Sequence, residues 1–509
     1  MSRYGSAASL RSNILSNFLG QIFLMVLALV SAHFVFEKLG LEILGVIYFA
    51  TTVTFVFNIL SDVGLSHTVT REIAAYRESR GDYVKDLIGS TSVLAWVACG
   101  VSCLIVVMLS PYLVNHWLKI DEIESADATL AFQIISAALL LSVPRAIYGA
   151  TLAGYERIDL YNLANVGSAG VTQLGLILIL AVGGNLYAIA VWYALSALIG
   201  IAIFIFLAGR LAGFHALRLK FRAAVIRDNV RFGSLLFINS MVGYLLYQID
   251  RWVISRLLPV SLLGYYGVAQ GFASKASMVS GAIATAAFPA LSHGVTNQER
   301  SRWTSQYHKL QDLTAYVLVP LCAAVAMLGI VIMEVVFSRQ VMEAAWLPLI
   351  FLSVGQLLLG LQYVPYMLSL AMKRPEISLY PSLLALAVVI PAAVLLTLYF
   401  GLAGAALTPV LASFVQMMFF LPRFSSECLA TGAWQWYRKS GAYVGVGLFV
   451  YGLPWLLLGF FGTGLDLYGL VASYIAGTLI YMYLGWLISG RELKSAIVHH
   501  LHSLRFRYA

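Results

Sequence analysis

Five charged residues, Asp62, Arg145, Asp250, Arg251 and Lys275, stand within or at the edge of runs of about twenty apolar residues. Where such a run crosses a bilayer, an ionised group near its centre costs on the order of 2.5 to 3.5 kcal/mol unless it faces a partner or water. Charges kept at that cost point to ligand or ion binding. Lys275 falls about 16 Å from the outer end of its run at 1.5 Å per residue, too deep for its stem to carry the ammonium easily to water. Arg251 lies about 9 Å below the outer end. Arg145 lies nearer the cytoplasmic surface, so both arginines divide between a binding role and snorkelling. Asp62 closes its run just before Gly64, where a cap or loop contact competes with a cation site. Asp250 and Arg251 are neighbours in "YQIDRW", and adjacent helical residues point about 100° apart. They need not neutralise each other: Asp250 can meet a coupling cation or a basic group on another helix, and Arg251 the substrate or the outer interface.

Polar residues stack beside these charges. Asn13, Asn17 and Gln21 recur at spacing four; Thr51, Thr54, Asn58 and Asp62 follow three-four spacing; Asn162, Asn165, Thr172 and Gln173 share a third run, and Gln270, Ser274, Ser277 and Gly281 a fourth. Aligned sets of this kind either pack helices together or line a cavity. Their concentration on the first helices of each half favours a central polar cavity. Cations aimed into such a cavity suit an anionic lipid, because a diphosphate needs compensating charge as it leaves water and sugars need amide and hydroxyl partners. Tyr244, Tyr247, Tyr265 and Tyr266 cluster on the same helices and fit sugar stacking or ordinary packing. His33, His67 and His293 sit near interfaces and read as structural. The cysteines, Cys99, Cys103, Cys322 and Cys428, offer no loop pair for a disulfide. Cys99 and Cys103 lack a nearby His or acid, so no metal site and no cofactor are expected beyond H+ or Na+ as a coupling ion.

The elements that must position these groups follow from composition. The chain is 61% hydrophobic and 11% charged, with a mean hydropathy of +0.86, which excludes a soluble globular protein. The apolar runs are long and continuous rather than alternating every ten residues or so, which excludes a β-barrel. The expected fold class is an all-α polytopic membrane protein of about fourteen transmembrane helices, the first over 13 to 36 and the last over 467 to 489. A cytoplasmic N-terminus puts 25 Lys and Arg in inside segments and four (Lys38, Lys119, Arg256 and Arg339) outside. That bias sets the orientation, with both termini cytoplasmic. It also accounts for the net charge of +9 without nucleic acid. The longest outside loop, "PYLVNHWLKIDEIESADAT", is short and acidic, so no extramembrane domain hosts soluble chemistry.

The turn "LGLEILGVIYFA" at Leu39 is echoed by "LPVSLLGYYGVA" at Leu258, and "LSH" recurs at Leu65 and Leu291. A six-helix separation makes the repeats parallel. Expected domains are an N-lobe over 1–209, a cytoplasmic amphipathic linker helix over 210–231, a C-lobe over 232–422, and two extra helices with a basic tail over 423–509. Two six-helix lobes around a central cavity are a plan for alternating access.

The opening "NILSNFLGQIF", the second-run "SDVGLSHTVTREIA" and "QIDRWVISRLLPVSLLGYYGVAQ" resemble polysaccharide transporters of the multidrug/oligosaccharidyl-lipid/polysaccharide exporter (MOP) superfamily, in particular the O-antigen (Wzx-type) flippases. The resemblance covers essentially the whole chain. It implies movement of an undecaprenyl-diphosphate-linked oligosaccharide from the inner to the outer leaflet of a bacterial inner membrane, with no covalent chemistry. It also leaves room for a glycan polymerase and a chain-length regulator as partners. By the same resemblance, Asp250 and Arg251 match an acidic-basic pair on the first helix of the second lobe. The expected substrate ligands are Lys275, Arg145, Arg251, Asn13, Asn17, Gln21, Asn58, Asn165, Gln270 and Ser274, with Asp250 and Asp62 as ion-coupling acids. The rivals are a multidrug antiporter of the same superfamily, which would want acidic cavity residues, and a membrane glycosyltransferase or polymerase, which would want a sizeable charged loop.

Overall fold

A backbone crossing hydrocarbon has no water to bond to, so each N–H and C=O must be satisfied within the segment. Helices answer that demand here. The computed structural model describes residues 7–62, 64–296, 300–454, 467–490 and 492–495, and the side chains of Asn13, Asn17 and Gln21 lie outside the described residues. Among the described residues there is no strand. The helices are α1 (Ala7–Asp62), α2 (Leu65–Tyr76), α3 (Gly81–Tyr112), α4 (Ser125–Leu140), α5 (Ser142–Gly154), α6 (Ile158–Ala181), α7 (Leu186–Ala212), α8 (Ala223–Leu257) and α9 (Val260–Thr296). They continue as α10 (Arg300–Val336), α11 (Arg339–Gly360), α12 (Tyr363–Ala371), α13 (Glu376–Phe424), α14 (Ala433–Gly447) and α15 (Leu467–Ile488).

Among the described residues, nine stretches are long and apolar enough to cross a membrane. Two of them, Phe23–Asp62 and Glu376–Leu429, run to 40 and 54 residues, about twice what one crossing needs. Each is broken by a glycine with positive φ, Gly40 at 86° and Gly401 at 59°, a conformation in which a side chain would be strained. Large apolar side chains face outward, among them Met108, Leu178 and Leu398 at 62 to 71% exposure. In a soluble protein that belt would aggregate; here it is the surface for lipid.

The chain forms two compact units, Met1–Met241 with Ile254–Gly264, and Val242–Val253 with Tyr265–Ala509. In the first, α1 packs on α4 and α6, α7 on α4, α5 and α6, and α2 on α5. Part of its core is Tyr148, Leu152, Ile201 and Phe204. One end of this unit is tied by backbone bonds. Glu42, only 3% exposed, accepts the N–H groups of Asp121, Glu122 and Ile123 at 2.7, 2.9 and 3.0 Å. Lys119 Nζ donates to Leu257 O at 2.6 Å, and Val260 N donates to Lys119 O at 3.0 Å. Those bonds explain why residues 254–264 belong with the first unit. In the second unit α10 packs on α11, α12, α14 and α15, and α13 on α11, around an aromatic core that includes Tyr307, Phe420, Phe424 and Tyr443.

The amphipathic linker helix expected over 210–231 is not one helix. Gly213, at φ 84°, ends α7; Phe214–Leu217 make one 3-10 turn, and helix resumes at Ala223. The extended strap Arg218–Arg222 is bonded to α3 instead: Ser90 Oγ donates to Lys220 O at 3.1 Å and accepts from Arg222 N at 3.0 Å, and Arg222 pairs with Asp86 at 2.5 Å. Those bonds satisfy the strap's backbone outside a helix, which periodicity alone does not show.

Candidate functional site

In the first unit α1, α2, α5, α6, α7 and the first half of α8 enclose a cavity of about 530 Å³ whose lining includes Asn58, Asp62, His67, Arg145, Tyr161 and Asn165. A second hollow of about 230 Å³ shares Asn58, Ser142 and Arg145 and extends along Thr51, Thr54, Ser168 and Thr172. Four of the sequence-selected residues, Asn58, Asp62, Arg145 and Asn165, therefore meet around one space.

Their bonding decides what they can offer. Arg145 has no carboxylate within 4 Å among the described residues, and its guanidinium lies 5.7 Å from the Phe204 ring centroid, an attraction that leaves its five N–H donors free. Asn58 Oδ1 accepts the Ser142 hydroxyl at 2.6 Å, which leaves the amide NH2 to donate. Thr51 and Thr54 spend their hydroxyl hydrogens on Tyr48 O and Ala50 O, each at 2.7 Å, as residues of this type often do inside helices. Toward the hollow they can only accept. The lining thus holds one unopposed cation, amide donors and hydroxyl acceptors, a set suited to an anionic, hydroxyl-rich group.

Asp62 is already engaged. Its Oδ1 accepts from Ser66 N at 3.1 Å and from Ser66 Oγ at 2.5 Å, capping the start of α2. The stripe on α6 divides between two tasks: Asn165 and Thr172 line the hollows, whereas Gln173 accepts the Ser31 hydroxyl and ties α6 to α1.

The second unit holds the remaining candidates on α8 and α9. Asp250, 1% exposed, accepts the Tyr266 hydroxyl and the backbone N–H of Arg251, the latter at 2.8 Å. Among the described residues it has no cation within 4 Å, so the adjacent arginine does not neutralise it. Arg251 Nε is buried without a hydrogen-bond partner. Gln270, 9% exposed, has an unpartnered buried Oε1. Ser274 donates to Gly271 O at 3.3 Å. Half-buried Lys275 has no ion pair and no hydrogen-bond partner among the described residues.

Two features escape a reading of the sequence. Tyr266, sixteen residues from Asp250, is one tyrosine among many until α8 and α9 fold together. Asp312 on α10 and Lys439 on α14 form an ion pair at 2.6 Å, although the residues are 127 apart in sequence and no local pattern links them. Among the described residues no group of three or more His, Cys, Asp or Glu could hold a metal ion.

The arrangement has solved counterparts. The chain superimposes with a TM-score of 0.70 on a structure of the lipid II flippase MurJ in an inward closed conformation, at 15% identity over 93% of this chain and 98% of that one. It matches an inward-facing multidrug resistance MATE family transporter of the MOP superfamily with a TM-score of 0.67, at 14% identity over 79% and 95% of the two chains. A third counterpart is the Vibrio cholerae MATE transporter VcmN, with a TM-score of 0.61 at 15% identity over 84% and 99%. These likenesses define the class: a multi-pass helical membrane protein with the MOP-superfamily fold. The sequence model of the family described as "Polysaccharide biosynthesis protein" matches residues 10–295, and the chain belongs to that family. A Shigella flexneri relative, described as "Putative O-antigen transporter", is 24% identical over 417 residues, covering 79% of this chain and 94% of its own.

Proposed function

We propose that this protein is a flippase, which carries an undecaprenyl-diphosphate-linked oligosaccharide, the repeat unit of an O-antigen or exopolysaccharide, from the inner to the outer leaflet of a bacterial inner membrane. The observation that carries the reading is the unopposed Arg145 among amide and hydroxyl groups in a cavity of about 530 Å³. The diphosphate takes Arg145, and the sugars take Asn58, Asn165 and the threonine oxygens. Lys275, Arg251, Gln270 and Ser274 are the proposed substrate ligands of the second unit, and Asn13, Asn17 and Gln21 those at the start of the first. The lipid tail stays in the bilayer, so only the headgroup needs a polar path. The two units alternate access, with both termini cytoplasmic. Proton or sodium binding at Asp250 drives the return, since its carboxylate has no fixed cation; Asp62, engaged by Ser66, is the lesser candidate. A glycan polymerase and a chain-length regulator are the proposed partners.

A multidrug antiporter of the same fold would need carboxylates facing cationic cargo. Among the described residues the lining of this cavity has one, Asp62, and Ser66 engages one of its oxygens. The deciding test is deletion of the gene followed by analysis of lipid-linked glycan in inverted vesicles. The expected result is accumulation of a diphosphate-linked glycan on the cytoplasmic leaflet, reversed by the wild-type gene and not by Lys275→Ala or Arg145→Ala at equal protein level. Full activity of both variants removes the cation assignment, and an unchanged glycan distribution in the deletion removes the flippase reading.

A further inference from the structure

The second unit contains a polar cavity that the proposed transport does not use. It measures about 540 Å³ and lies where α10, α14 and the residues after α15 converge. Asp312, 1% exposed, is fixed in its wall by Lys439 at 2.6 Å and by Gly490 N at 3.1 Å. Arg438 and Glu492 line the same space and have no ion pair with each other or with any described residue. The wall also carries three side chains at least nine-tenths buried that keep a polar atom without a hydrogen-bond partner: Tyr307 Oη, Gln311 Oε1 and Trp436 Nε1. An orphaned buried donor or acceptor costs about 1 to 3 kcal/mol, so three in one wall point to a ligand that supplies their partners.

An apolar pocket of about 180 Å³ lies further along the same two helices, lined by Val319, Cys322 and Ala323 of α10 and by Val444, Gly447 and Tyr451. From Asp312 to Val319, and from Ser440 to Gly447, the step is seven residues, roughly 10 Å of helix. A bilayer's polar interface is about 5 to 8 Å thick on each side, so that step leads from headgroup depth into hydrocarbon. The helix widens into a π-helical turn at Leu448–Gly452, and Leu448, Tyr451 and Gly452 of that turn line the pocket. π-Bulges of this kind often mark functional sites.

We infer that α10, α14 and α15 hold one resident glycerophospholipid with a phosphate-and-amine headgroup, its head in the polar cavity and an acyl chain in the apolar pocket. The charges select the headgroup. Asp312 and Lys439 offset each other, which leaves Arg438 for a phosphate and Glu492 for an ammonium, one cation and one anion as in phosphatidylethanolamine. A lipid with an anionic headgroup alone would leave Glu492 unopposed.

Native mass spectrometry of the full chain released from its membrane in mild detergent tests this. The expected result is one phosphatidylethanolamine retained per chain, reduced at least tenfold in the double variant Arg438→Ala/Glu492→Ala and again in Ala323→Phe, which fills the chain pocket. Thermal unfolding of delipidated protein supplies the second readout: adding phosphatidylethanolamine should raise the wild-type midpoint and leave that of the double variant unmoved. Equal retention in all three proteins, retention of an isoprenoid diphosphate or a purely anionic lipid instead, or no retained lipid in the wild type would each overturn the assignment.

Discussion

Two half-buried basic groups sit in contrasting surroundings. Arg145 in the first unit lines a cavity of about 530 Å³, with a phenyl ring beside it and no carboxylate within 4 Å among the described residues. Lys439 in the second unit is locked to buried Asp312 at 2.6 Å, and Asp312 is held further by a backbone N–H. A charge with a fixed partner belongs to the fold, because removing either member strands the other in low dielectric. A charge without one awaits a partner that comes and goes.

That contrast can be broken by experiment. The largest effect is expected for Arg145→Ala: translocation in proteoliposomes should fall at least about 100-fold, or roughly 2.7 kcal/mol, while the thermal midpoint stays near that of the wild type. A large loss of stability in this variant would make Arg145 structural and erase the contrast. Lys439→Ala should behave oppositely. Its side chain is one-third exposed, so the expected cost is about 2 kcal/mol, below the 3 to 5 typical of a fully buried pair, read by denaturant unfolding in micelles. The double variant Asp312→Leu/Lys439→Leu should recover part of that loss, because no charge is left stranded.

Asp250→Asn is the intermediate case. It keeps the shape and an acceptor for Tyr266 but cannot ionise, so counterflow by downhill exchange should persist while uptake driven by a proton or sodium gradient is lost; retained gradient-driven uptake removes Asp250 from coupling. The smallest effect is expected for Thr54→Val, about two- to tenfold in rate, since it removes one acceptor oxygen offered to the sugars, worth about 0.5 to 1.5 kcal/mol, while its hydroxyl hydrogen serves only its own helix at Ala50 O.

The helical class was legible because a bilayer imposes one rule on every crossing segment: long apolar runs must be helices. The four residues of the first cavity were legible for a related reason, since Asn58, Asp62, Arg145 and Asn165 break apolar runs at a cost that needs an explanation. Which of them are already engaged was not. Asp62 and Asn58 look alike in the stripe on α1, yet Ser66 makes two bonds to one oxygen of the first and Ser142 takes the side-chain oxygen of the second. Those serines come from α2 and α5, and their placement is a matter of tertiary packing. The linker failed for a different reason. Leu211, Phe214, Leu217 and Phe221 do recur at helical spacing, but Phe214 and Phe221 are 57% and 53% exposed, and the strap's backbone is satisfied by Ser90 rather than by a helical turn.

That strap has a mechanical consequence. With Ser90 bonded on both sides, to Lys220 O and Arg222 N, and Arg222 clamped to Asp86, residues 218–222 cannot slide over α3 without breaking three bonds at once. The connection into α8 is therefore a bolted joint, and any pull on the start of that helix is delivered to α3 rather than taken up as slack.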